Sequence, residues 1–210
     1  MQNATPSTRA RRLGGVVAAA ILIVFGVISA AQGISGHSTV GDALTQEAIV
    51  GQPQMNPSAI AATAKKAGLS VQTPTCSVAG KSIDTGAEAR CFAEYMRVDA
   101  LVATGGKTYA QMPRFGSKDG KGTNIEAEAI KLPNGVGLPN PARNVWITET
   151  ALSTALNTSY MAEQISLFGI AVGGAFLLVG LAIGGFALRG MKLSAPAAAR
   201  RRETRETVNA

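Results

Sequence analysis

Two stretches of this chain carry no acid or base for more than 20 residues each, and that feature constrains the fold more than any other. The first runs from Leu13 to Ile34 (LGGVVAAAILIVFGVISAAQGI), the second from Ile165 to Leu188 (ISLFGIAVGGAFLLVGLAIGGFAL). Between Arg12 and Asp42, and again between Glu163 and Arg189, His37 is the only ionisable side chain. A helix rising about 1.5 Å per residue crosses a hydrocarbon core of about 30 Å in about 20 residues. A core helix of a soluble domain keeps a polar face over such a length, so both stretches read as transmembrane helices. A cleaved signal peptide is the rival reading of the first. Arg9, Arg11 and Arg12 make a basic flank, and Ser29-Ala30-Ala31 a small-residue site. The apolar run is longer than a signal h-region of about 7–15 residues, so the span is expected to be retained.

The net charge of +7 then resolves into topology. The N-terminal flank holds three arginines and no acid. The C-terminal tail sets Arg189, Lys192, Arg200, Arg201, Arg202 and Arg205 against Glu203 and Glu206. The segment between the spans balances 11 bases with 11 acids. All of the excess lies in the tails, which the positive-inside rule places in the cytoplasm. The expected plan is a cytoplasmic tail 1–12, a span 13–34, an extracytoplasmic domain 35–164, a span 165–188 and a cytoplasmic tail 189–210, in the plasma membrane. The basic residues flank membrane and have no aromatic residues interleaved, which argues for the lipid bilayer as their partner and against nucleic acid.

Both cysteines, Cys76 and Cys91, fall in the segment placed outside, with fourteen residues between them. In an oxidising compartment they read as one disulfide. A metal pair is the alternative, but two thiols and one distant histidine cannot complete a tetrahedral site.

Local signals make the domain mainly α-helical. For Asp42 to Val50 a short strand and an extension of the first helix both fit. Asn56-Pro57 supplies an N-cap and a proline at the first helical position, opening a helix to about Ala67 with Gly68 as terminator. A second helix is expected from Ala87 to Ala103, stopped by Gly105-Gly106, with Phe92, Tyr95 or Met96, Asp99 and Val102 making a face only partly apolar. Gln111 to Asn140 is dense in Gly and Pro and reads as a long, mobile loop. Asn140-Pro141 repeats the cap signature, and from about 141 a helical stalk runs into the second span.

Catalytic signals are thin. TGGKTY (Thr104–Tyr109) lacks the glycine a phosphate loop needs four residues before Gly-Lys, because Leu101 stands there. His37 has no evident partner for a triad, and the sequon Asn157-Thr158-Ser159 sits in a helical pattern beside the membrane. The chain is read as a non-enzyme with no cofactor, metal or catalytic residue. Small residues instead stand out. Gly169, Gly173, Gly180 and Gly184 share one narrow arc of the second span, and Gly15, Ala19, Gly26 and Ala30 repeat the same offsets on the first. Small faces let helix backbones approach in lipid, so the two spans are expected to pack through them. Ala171, Gly174, Ala182 and Gly185 form a second small face, left for a membrane-protein partner or a homo-oligomer.

VDALVATGGKTYAQM (Val98–Met112), LTQEAIV after the first span, and ETALSTALNTSYMAEQISLFGIAVGGAFLLVG resemble a group of actinobacterial two-pass membrane proteins often labelled aromatic ring-opening dioxygenases. The resemblance covers about half the chain; the cysteine pair and the loop from Gly116 to Pro139 depart from it. It implies two spans around a helical external segment. The label implies a non-haem iron site of two histidines and a carboxylate, which a chain with one histidine does not supply. The functional expectation is a non-catalytic accessory or assembly component of a membrane or envelope complex. The alternative is an extracytoplasmic sensor or ligand-binding module.

Overall fold

A computed structural model describes residues Thr8–Lys192, with side chains from 13 to 189. Residues 1–7 and 193–210, among them the basic cluster Arg200–Arg202, lie outside the described residues, while Arg189 and Lys192 of the expected tail fall in the last helix. Among the described residues four α-helices form in order: α1 Thr8–Gln46, α2 Pro57–Lys66, α3 Gly86–Ala103 and α4 Pro141–Lys192. Two single 3-10 turns, Tyr109–Gln111 and Glu126–Glu128, lie between α3 and α4. Among the described residues there is no strand, only isolated bridges. The protein is mainly helical.

The capping chemistry explains where the shorter helices begin and end. Asn56 Oδ1 accepts the Ala59 N–H at 3.0 Å with Pro57 at the first helical position. Thr85 Oγ1 accepts the Glu88 N–H at 3.2 Å, and the Glu88 carboxylate reaches back to the Thr85 hydroxyl at 2.9 Å. Burial pushes Glu88 up, but the hydrogen bonds from Thr85 and Asp84 outweigh it and hold its carboxyl below the ordinary value. At the other ends, Gly68 and Gly105 adopt positive φ, and the next N–H closes back five residues, Leu69 to Ala64 and Gly106 to Leu101. This is the Schellman arrangement, and it accounts for the Gly-Gly pair that mimics a phosphate loop.

Two segments need separate comment. Asp42 to Val50 divides: α1 continues to Gln46, Ala48 turns the chain at positive φ, and Val50 then bridges to Ser82. Gln111 to Asn140 is not a featureless loop. Phe115 and Thr123 exchange both backbone hydrogen bonds at 2.9 Å, and Gly116, Ile130 and Leu138 are tied by three more. Glycines at positive φ, among them Gly120, Gly122 and Gly135, let the chain fold back on itself and satisfy its own polar groups.

The described residues divide into two compact units, one of residues up to Gly36 with those from Ile165, the other His37–Gln164. In the second, Tyr95, Ile83 and Val78 are the largest fully buried side chains. The Tyr95 hydroxyl donates to the Cys76 carbonyl at 2.7 Å, which ties the centre of α3 to the loop that carries the disulfide.

Candidate functional site

Within the 37–164 unit, a cleft of about 1190 Å³ opens among the end of α1, α3 and the first turns of α4. Its floor is core: Leu44, Met55 and Leu156 are each 6% exposed or less. Its walls are two helical stripes. On α3, Phe92, Met96, Asp99 and Ala103 recur at steps of three and four; on α4, Val145, Leu152 and Ser159 recur at seven. These are spacings that keep residues on one side of a helix. Val145 and Leu152 stand 42% and 49% exposed although large and apolar, so this surface is not consumed by the domain's own core.

The charges around the cleft are one-sided. Glu47, Asp99 and Glu149 border it, and among the described residues no lysine, arginine or histidine does. Glu149 is committed: it is buried and pairs with Arg97 at 3.1 Å, whose guanidinium also lies 4.0 Å above the Trp146 ring. Asp99 accepts no hydrogen bond from, and forms no ion pair with, any described residue. The surrounding apolar wall pushes its carboxyl above the ordinary carboxylate value by burial alone. A carboxylate held this way favours an incoming positive charge or hydrogen-bond donor.

Sequence spacing grouped Phe92, Tyr95 or Met96, Asp99 and Val102 on one face. The structure separates them: Tyr95 goes into the core, while Phe92, Met96 and Asp99 line the cleft. The mixed polarity of that face was the available signal. The cleft itself was not visible, because its walls come from segments about 50 residues apart that only tertiary folding brings together.

The remaining candidate positions fall as follows. Cys76 and Cys91 are bridged, with Cα atoms 6.1 Å apart. His37 Nδ1 lies 3.6 Å from the buried Glu163 carboxylate, a partner that sequence reading did not find. In the other unit, the eight small positions line one antiparallel seam. A methyl group at Gly173 would stand 2.5 Å from the Ala30 nitrogen and 2.7 Å from the Gly26 carbonyl oxygen. At Gly26 it would stand 2.9 Å from the Gly173 oxygen, and at Gly180 3.1 Å from the Ala19 oxygen. Looser contacts pair Gly184 with Ala19, Gly169 with Ser29 and Gly15 with Ala187, at 3.4 to 3.5 Å. The seam also takes in Gly33, where a methyl would meet the Ser166 oxygen at 2.6 Å. Ala19, Gly26 and Gly33 are buried at steps of seven, the spacing of ridges packed three-into-four. Gly174 and Gly185 have nothing within 4 Å, and Ala171 and Ala182 are exposed. Among the described residues, no three His, Cys, Asp or Glu side chains gather closely enough to hold a metal ion. No family model, no curated protein and no solved structure matches this chain.

Proposed function

We propose that this chain is a non-catalytic two-span protein of the plasma membrane, with both tails cytoplasmic and residues 35–164 outside. In this reading it serves as an accessory or assembly component of a membrane or envelope complex. Two helices are long and apolar enough to cross a membrane. On the helix pair Phe168, Leu178 and Phe186 are 70–75% exposed, a surface suited to hydrocarbon rather than water. The observation that carries the assembly reading is the cleft. A domain that leaves Val145 and Leu152 outside its core, beside Phe92 and Met96, retains the kind of apolar surface that marks a docking site.

The test is a photo-reactive residue at Leu152, activated in native membranes, with Lys121 on the external loop as the control position. A discrete adduct from Leu152 and none from Lys121 supports the reading; a chain that stays monomeric at every cleft position refutes it. A phosphatase fused after Ala210 should be inactive if the tail is cytoplasmic. A second reading, a sensor of a small ligand, is favoured by Asp99, because binding pockets combine apolar walls with a few directed polar groups.

A further inference from the structure

The cleft allows its occupant to be specified by chemistry, and this step rests on the assembly reading. Its two walls are helical stripes of unequal length. Val145 to Ser159 on α4 spans about 21 Å, and Phe92 to Ala103 on α3 about 16 Å, at 1.5 Å per residue. Its volume of about 1190 Å³ lies above the range of about 300–1,000 Å³ typical of small-molecule pockets. A long groove walled by two helices, floored by buried apolar side chains and open to solvent fits a third helix, which buries apolar residues at three- and four-residue spacing. Met55 and Met96 lie in the lining and give it side chains that adapt to a partner's shape.

Charge narrows the choice. Of the three bordering carboxylates, Glu149 already has Arg97, while among the described residues Asp99 and Glu47 form no ion pair. We infer that the cleft receives one face of an amphipathic helix from a partner protein, apolar along its centre and carrying lysine or arginine on the side of Asp99 and Glu47. An acidic helix is excluded by repulsion from both groups as their carboxylates lose water. The basic tails of this same chain are not the occupant, since the proposed topology puts them across the membrane.

The experiment uses the full chain in phosphatidylcholine nanodiscs and two fluorescent synthetic helices of fourteen residues, read by anisotropy against empty nanodiscs. Both have a Leu/Ala face; one carries lysines beside it, the other glutamates at the same positions. The lysine peptide should bind at least tenfold more tightly than the glutamate peptide. Asp99→Asn should weaken the lysine peptide about fivefold or more, and Leu152→Lys, at an exposed site, should abolish it. Asp119→Asn, on an exposed loop outside the cleft, should change nothing, and an intact Cys76–Cys91 bridge in each variant reports folding. Equal binding of the two peptides, or indifference to Asp99→Asn, overturns the inference. So does octylamine binding that depends on Asp99 where the lysine peptide fails to bind, which assigns the cleft to a small amine instead. Should the Leu152 cross-link capture a partner through an acidic or uncharged segment, the assembly reading survives and this inference falls.

Discussion

Two adjacent glycines in α4 make a controlled experiment on what holds the helix pair together. A methyl at Gly173 would overlap the opposing backbone, 2.5 Å from the Ala30 nitrogen; a methyl at Gly174 meets nothing within 4 Å. To bring the first contact out to about 3.5 Å, an ordinary separation for heavy atoms, the helices must part by about 1 Å. Such a gap forfeits a quarter to a half of each dispersion contact of about 0.1–0.2 kcal/mol. Over a seam of about fifty atom pairs the loss is about 1–5 kcal/mol, and it falls on the main source of attraction between helices in lipid. Gly174→Ala should cost nothing. The assay is a cysteine pair, Gly15→Cys with Ala187→Cys, whose Cβ positions lie 3.5 Å apart, within the reach of a disulfide. Cross-linking by a mild oxidant is followed as SDS is titrated into the purified full chain. Gly173→Ala should shift the midpoint to lower SDS, and Gly174→Ala should leave it in place. If the two variants behave alike, the seam is not what holds the pair.

Three further outcomes follow from the 37–164 unit. Cys76→Ser with Cys91→Ser opens a covalent loop of 15 residues' separation and should cost about 3 kcal/mol on chain-entropy grounds; in the unmodified chain, thiol alkylation should add mass only after reduction. Gly51→Ala should destabilise by about 3 kcal/mol or more through overpacking, because its methyl would stand 1.8 Å from the Val78 carbonyl oxygen. Gly41→Ala, whose methyl meets only the Asp84 oxygen at 3.4 Å, is the tolerated control, and Trp146 fluorescence in a denaturant titration reads both. Asp99→Asn should stabilise the chain at pH 7. A carboxyl whose value is raised by burial is penalised once ionised, so the penalty is present above its unfolded value of about 3.9 and absent below it. The variant's advantage should therefore vanish in titrations below about pH 4; an advantage that persists there would show that charge is not its origin.

What could be read from the sequence was what depends on neighbours in the chain. Asn56-Pro57, Asn140-Pro141 and the Gly105-Gly106 stop act over four or five residues, and the structure uses each as a cap. The cysteine pairing was legible because only two thiols exist. The seam glycines were legible in part: helical offsets place Gly26 and Gly173 on definite faces, but Gly33 was passed over because it falls outside the offsets that the two spans share. The helix runs on to Gln46, since nothing in Ser35 to Thr45 breaks it. The ordered segment between Gln111 and Asn140 was missed for the opposite reason. Its glycines look like breakers in sequence, yet at positive φ they serve as the corners of a hydrogen-bonded unit.

The cleft is the feature that sequence could not show, and its persistence has a thermodynamic reason. In the core of the 37–164 unit, Ala64, Ala89, Ala93 and Ala100 occupy buried positions among larger side chains such as Tyr95, Ile83 and Leu156. At about 25 cal/mol per Å² of apolar surface, closing the exposed Val145 and Leu152 onto that core would add stability. Replacing Asp99 by an uncharged residue would add to it. Neither has happened. The domain instead draws stability from a disulfide in the wall behind the cleft, from Arg97 held between Glu149 and Trp146, and from side-chain caps on α2 and α3. Those devices fix the two helical walls without filling the space between them. In the proposed assembly, a fold that stabilises its walls by covalent and polar means while leaving apolar area and the Asp99 carboxylate uncovered is preorganised for its partner helix. Preorganised walls lower only the share of the ordering cost of association that falls on this chain.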